Sequence, residues 1–133
     1  VKQFSISTGG RTELINIDDQ VRRMVADSGV RIGICQVFVP HTTAGVTINE
    51  NADPSVIRDI LMEIDTIIPF EDDYRHAEGN SAAHIKSSLV GCDQTIPIAE
   101  SRLVLGTWQS IFFCEFDGPR QRKVFVQIIG TSD

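Results

Sequence analysis

At 133 residues the chain is long enough for one domain that buries roughly two-thirds of the surface its unfolded form would expose. Its hydrophobic content is ordinary for a globular protein and argues against disorder. A net charge of -6 argues against a general nucleic-acid binder, which needs a basic face, but leaves room for a local arginine pocket that grips a small anion.

Phe4 to Ser7 and Glu13 to Ile17 are short, partly alternating stretches around Gly9-Gly10, which reads as an N-terminal hairpin. Between Ile17 and Ser28 the apolar residues Ile17, Val21, Met24 and Val25 recur at helical spacing, and Gly29 closes the segment. Val30 to Val39 is apolar on both faces and predicts a central strand, stopped by Pro40. Extended structure resumes over Val46 to Asn49.

Asp53-Pro54 opens the best-marked helix, since aspartate is a favoured cap and proline a favoured first residue. Its stripe of Val56, Ile57, Ile60, Leu61, Ile64, Ile67 and Ile68 is expected to be buried, and Pro69 ends it. A further short helix follows Asn80 or Ser81 and ends at Gly91. On it Ser81, His84 and Ser88 share one face, while Ile85 and Leu89 form the apolar side. Such a helix is either a plain surface helix or the wall of a pocket.

After Gly91 the chain reads as β-structure: Thr95 to Ile98, Arg102 to Leu105, Trp108 to Phe116 and Val124 to Ile129. The last two read as an antiparallel hairpin apolar on both faces, part of whose cover is expected from other copies of the chain. The order predicts a compact α+β domain over residues 1–133, with about three helices and a mixed or antiparallel sheet. Cys35, Cys92 and Cys114 show no Cys-x-x-Cys spacing, and nothing reads as a signal peptide or membrane span. Free thiols in a cytoplasmic protein are the expectation.

His41, His76 and His84 each fall at a polar junction beside Thr, Ser or Glu. Three nitrogen ligands and a water describe an open catalytic zinc site, although no His-x-x-x-His spacing adds to that reading. Glu50 and Asp53 are either ligands or simply solvent-facing and capping groups. Arg120, Arg122 and Lys123 make a small basic patch beside Gly118-Pro119, and Trp108 reads as core, interface or a stacking platform.

Four ordered motifs carry more: His41-Thr-Thr-Ala-Gly-Val-Thr-Ile-Asn-Glu-Asn-Ala-Asp-Pro54, His84-Ile-Lys-Ser-Ser-Leu-Val-Gly91, Gly106-Thr-Trp-Gln109 and Asp117-Gly-Pro-Arg120. Through these the chain resembles the YjbQ family, small uncharacterised bacterial and archaeal proteins, some credited with a secondary thiamine-phosphate synthase activity. The resemblance implies a barrel-like, mainly antiparallel α+β fold assembled as a homotrimer, with a polar site near a subunit boundary. It implies His41, His76 and His84 as ligands of a divalent metal, zinc or magnesium, and His84 and Glu50 as catalytic candidates. Lys86, Ser88, Arg120 and Trp108 are then the candidates for binding a small phosphorylated substrate. The implied chemistry joins hydroxymethylpyrimidine diphosphate to a thiazole phosphate and releases diphosphate. A metal-dependent hydrolase or phosphatase, and a non-catalytic anion-binding trimer, are the alternatives.

Overall fold

A computed structural model describes residues 1–131, so the expected domain runs two residues beyond what is described. In chain order the elements are β1 (Lys2–Ser7), β2 (Glu13–Asn16), α1 (Asp18–Ser28), β3 (Gly33–Phe38), β4 (Ala44–Glu50), α2 (Pro54–Ile67), α3 (Ser81–Val90), β5 (Asp93–Ala99), β6 (Arg102–Leu103), β7 (Gln109–Glu115) and β8 (Gln121–Gly130). The strands make a five-stranded sheet, β1-β8-β3-β5-β6, and a three-stranded sheet, β2-β7-β4. Every pairing among the described residues is antiparallel. The α+β class and the three helices are as expected.

The two sheets curl round one core in the manner of a half-barrel. Val37, Cys35, Ile96, Val124 and Val126 enter it from the larger sheet, Val46, Ile111 and Phe113 from the smaller one. Val21 and Val25 of α1, together with Ile17 immediately before it, recur at four-residue spacing and close it on one side. Gly29, at φ 71, ends α1 in the left-handed conformation that glycine adopts without steric penalty. β3 lies between β8 and β5, the central position its two-sided apolar pattern predicted.

Neither expected hairpin forms. β1 pairs with β8 and β2 with β7, so the chain at Gly9-Gly10 crosses from one sheet to the other. β7 and β8 likewise belong to different sheets. β7 is buried on both faces, but within a single chain: Ile111 and Phe113 face the main core, while Cys114 and Phe116 pack beneath Ala83 and Val90 of α3. For β7 the second cover is supplied by α3 of the same chain, whereas Ile129 on β8 is left exposed.

The helices hold the larger surprises. Asp53 caps α2 as its sequence required, its carboxylate accepting from the Ser55 N–H at 2.9 Å, with Pro54 as the first helical residue. Yet no residue of α2 is buried: Val56, Ile57, Ile60, Leu61 and Ile64 are only half covered and Ile67 is exposed, while Ile68, just past the helix, is buried as expected. In α3 the polarity is reversed. Ala82, Ala83, Lys86 and Ser87 face inward, while Ile85 and Leu89 are 43% and 65% exposed. The small alanines let α3 lie close on the sheet, a choice of seating that helical periodicity by itself does not reveal.

Candidate functional site

α3 is seated by contacts that begin in the motifs of other segments. Ser87 Oγ donates to the Ala44 carbonyl at 2.6 Å, and the Val46 N–H donates to the Gly91 carbonyl at 3.1 Å. A Cβ on Gly45 would stand 2.5 Å from that same Gly91 oxygen, so the close approach of β4 to the end of α3 requires glycine. At the other end, Asn80 does not cap the helix with its side chain; its amide instead donates to Asp117 Oδ2 at 2.8 Å. The His41–Gly45, His84–Gly91 and Asp117–Arg120 motifs, distant in sequence, thus meet around one helix.

His84 stands on the outward flank of α3, between two hollows. One, of about 320 Å³, is lined by Tyr74, Arg75, His76, Ser81, His84 and Ile85. The other, of about 350 Å³, is lined by Thr42, Ser87, Ser88, Gly91 and Cys92 together with His84. The His76 and His84 rings meet edge to face, with centres 5.4 Å apart and planes at 89°. Tyr74 anchors the preceding loop by donating from its hydroxyl to the Pro69 carbonyl at 2.6 Å. Ser88 lines the second hollow, but its hydroxyl donates back to the His84 carbonyl at 3.0 Å.

His41 lies elsewhere. Its Nε2 accepts from the Lys123 N–H at 2.9 Å, which leaves the ring proton on Nδ1. Burial, then the nearby Arg122 guanidinium, lowers its pKa from the ordinary histidine value. Beside it is a fully buried ion pair, Glu115–Arg122. Arg122 Nε donates to Glu115 Oε2 at 2.7 Å, and its Nη2 donates to Thr43 Oγ1 at 2.9 Å. Glu115 also accepts from Thr8 Oγ1 and from the Asp117 N–H, each at 2.9 Å. Burial pushes the Glu115 carboxyl upward, but the bonds from Arg122, Asp117 and Thr8 outweigh it and hold the pKa below the usual value.

The remaining expected site residues are dispersed. Lys86 is buried beneath α3 in an ion pair with Asp65, on the opposite flank of the helix from His84. Arg120 is half exposed and bonded to Asp117, through Nε to its carbonyl at 2.9 Å and Nη2 to its carboxylate at 3.0 Å. Glu50 and Trp108 lie at the far end of the three-stranded sheet, where Glu50 pairs with Gln109 and Trp108 is 63% exposed. Glu115 and Ala44 pair at the near end, roughly 20 Å away along β4. Among the described residues of one chain, no three His, Cys, Asp or Glu side chains converge as a metal site. His76 and His84 come together, and His41 does not join them.

Glu115, Thr8 and Thr43 did not stand out in the sequence, nor did Arg75 as a pocket wall. The signals were a single carboxylate in the inward alternation Ile111, Phe113, Glu115, and an arginine immediately before His76.

A family model described as UPF0047 protein YjbQ-like matches residues 2–131. The UPF0047 protein MJ1081 of Methanocaldococcus jannaschii is 54% identical over 128 residues, covering 96% of this chain and 93% of that one. UPF0047 protein YugU of Bacillus subtilis is 47% identical over 131 residues, covering 98% and 99%. Among solved structures, a YjbQ/UPF0047 family protein of Clostridium acetobutylicum superposes with a TM-score of 0.96 at 56% identity, over 97% of this chain and all of that one. A YbjQ-like protein of unknown function from Sulfolobus solfataricus superposes with a TM-score of 0.94 at 37% identity, over 98% and 96%. With its motifs, its fold and its full-length relatives in agreement, the chain belongs to the YjbQ (UPF0047) family.

Proposed function

We propose that the protein binds a small phosphorylated molecule in the His76–His84 pocket and transforms it, working as a homotrimer. The observation that carries this reading is the edge-to-face pair of imidazoles in an open hollow whose wall also holds Arg75 and Ser81. Arg75 supplies a guanidinium matched to phosphate oxygens, and the Ser81 hydroxyl a further donor. An imidazole donates from one ring nitrogen and accepts at the other, so a pair of them can pass a proton to or from a bound ester.

The same pair offers two ligands to a divalent ion. Imidazole nitrogens are common zinc ligands, and the two rings stand side by side in the open hollow. His76 and His84 would hold it, with further ligands from substrate, water or another copy, and nitrogen ligands favour zinc over magnesium. Such an ion would act as a Lewis acid on a phosphoryl oxygen.

A thiamine-phosphate synthase activity belongs to this reading as a weak one. Its two phosphorylated substrates call for clustered cations, whereas Arg75 is, among the described residues, the one Lys or Arg in the wall of the histidine pocket. One phosphate beside Arg75 suits the pocket better than a diphosphate and a second phosphate together.

The trimer is supported by apolar surface left uncovered on separate elements: the α2 stripe, Ile85 and Leu89 on α3, and Ile34, Phe38 and Ile129 on the larger sheet. Distinct patches on one chain suit a head-to-tail contact that closes into a ring. Three unpaired thiols suit a reducing cytoplasm, and no described helix is long and apolar enough to cross a membrane.

The test is metal content and phosphate-ester turnover of the purified protein beside His76→Ala, His84→Ala and His41→Ala, with oligomer size checked on every sample. The expected result is loss of bound metal and turnover in the first two variants while assembly persists. Tight ligand retention with no turnover across a series of metals would leave a binding module instead. Indifference to both His76→Ala and His84→Ala would end the proposal.

A further inference from the structure

On the inner flank of α3, away from the histidines, lies a separate hollow of about 280 Å³ between the β2 approach, the end of α2 and the sheet. Its walls include Arg11, Asp65, Phe70, Lys86 and Phe116. The Lys86 side chain is 3% exposed, and among the described residues its ammonium has one partner, the Asp65 carboxylate. An ammonium carries three donors, so most of its hydrogen-bonding capacity is unspent. Across the hollow the Arg11 guanidinium lies 4.0 Å from the centre of the Phe70 ring and forms no ion pair among the described residues. Two cations therefore face one anion.

The ion pair is lopsided. Lys86 is nearly buried, but Asp65 is 54% exposed and sits on α2, a helix with no buried residue. Withdrawing Asp65 into solvent costs the carboxylate little, whereas leaving the buried ammonium without an anion costs much. A second anion of the right size would satisfy Lys86 equally well and gain Arg11 besides. We propose that this hollow is an anion-binding subsite for the phosphate or carboxylate group of a small molecule, whose place Asp65 holds in its absence. Lys86 and Arg11 are its ligands, the Phe70 ring keeps Arg11 in position, and departure of Asp65 loosens α2.

The subsite is independent of the histidine pocket, and one experiment separates them. Inorganic phosphate and acetate are titrated by calorimetry into wild-type protein, Asp65→Asn, Arg11→Gln, Asp65→Asn with Arg11→Gln (the double variant), His84→Ala, and Asp65→Asn with His84→Ala, with thermal midpoints measured at each ion concentration. Removing the internal competitor in Asp65→Asn is expected to tighten binding of at least one ion roughly tenfold and to make its midpoint rise more steeply with that ion than wild type does. The double variant is expected to lose that gain, and combining Asp65→Asn with His84→Ala to keep it. Phosphate alone producing the gain identifies a phosphate subsite, and acetate alone a carboxylate subsite. No gain from either ion in folded Asp65→Asn would make the Lys86–Asp65 pair a purely structural tie. A gain abolished by His84→Ala would assign the binding to the histidine pocket, and either result overturns the proposal.

Discussion

Glu115 and Arg122 are paired in the interior of the domain, the carboxylate fully buried and the guanidinium nearly so, with Thr8, Thr43 and the Asp117 amide completing their hydrogen bonds. They join β7 to β8, strands of different sheets, and through Thr43 they fix the loop that presents Thr42 to the His84 hollow. Removing one partner strands a buried charge. Arg122→Met is expected to cost about 3–5 kcal/mol in denaturant unfolding. Replacing both together, as Glu115→Leu with Arg122→Met, should cost less than either alone.

The same region sets an acid limit on stability. The Glu115 pKa is lowered in the fold, so its contribution is fully present above the unfolded carboxylate value and is lost as pH falls through the folded one. His41, also lowered, is held neutral, so its contribution is complete above the ordinary histidine value and declines as pH falls below it. Unfolding free energy measured from pH 8 downward should therefore fall first below about pH 6.5 and again below about pH 4.3. His41→Gln should remove the first decline and leave the second.

Gly45→Ala should be destructive for its size. Its methyl would meet the Gly91 carbonyl at 2.5 Å, and a backbone atom cannot swing aside as a side chain can. The expected loss is about 1–3 kcal/mol, with α3 pushed off β4. Hydrogen exchange should show lost protection at Val46 and across α3, where Gly29→Ala would disturb α1 alone.

Thiol chemistry should be selective. Burial pushes the Cys35 thiol up to about 11 and the Cys114 thiol up to about 12, while Cys92 is exposed on the rim of the second hollow. An aromatic disulfide reagent at pH 8 should modify Cys92 alone in the native protein and all three cysteines in denaturant. Rapid native labelling in a Cys92→Ser variant would contradict the buried placement of the other two.

Leu89→Asp offers a test of assembly with little risk to the fold, since the side chain is largely exposed in one chain. The expected result is a smaller species by light scattering with native secondary structure by circular dichroism and a thermal midpoint no higher than that of the wild type. An unchanged size would remove α3 from the interface of the proposed trimer.

Much of the fold could be read from local chemistry. Asp53-Pro54 and Gly29 mark helix ends by capping and left-handed geometry, which are properties of a few adjacent residues. The double-sided apolar run around Cys35 and Val37 likewise announced a central strand. What failed was pairing between neighbours in sequence. β2 lies beside Cys114 and Phe113 rather than beside β1, because register is set by which faces bury together and not by the length of the intervening turn. The site suffered likewise: His76 and His84 meet through a loop whose path no periodicity encodes, and Glu115 hides in an apolar strand where its partner arrives seven residues later. Glu50 and Trp108 belong to strongly patterned segments, yet the register of β4 with β7 carries them to the opposite end of the sheet from Glu115.

The reversed polarity of α3 bears on how this protein could be engineered. A routine surface redesign would change Ile85 and Leu89 to charged residues and fill the inward positions Lys86 and Ser87 with leucine or alanine. The product would look better by every solubility rule and would have lost its tie to Asp65, its bond to the Ala44 carbonyl and the apolar rim beside His84. For this helix, the residues that offend a designer's pattern are the ones to keep.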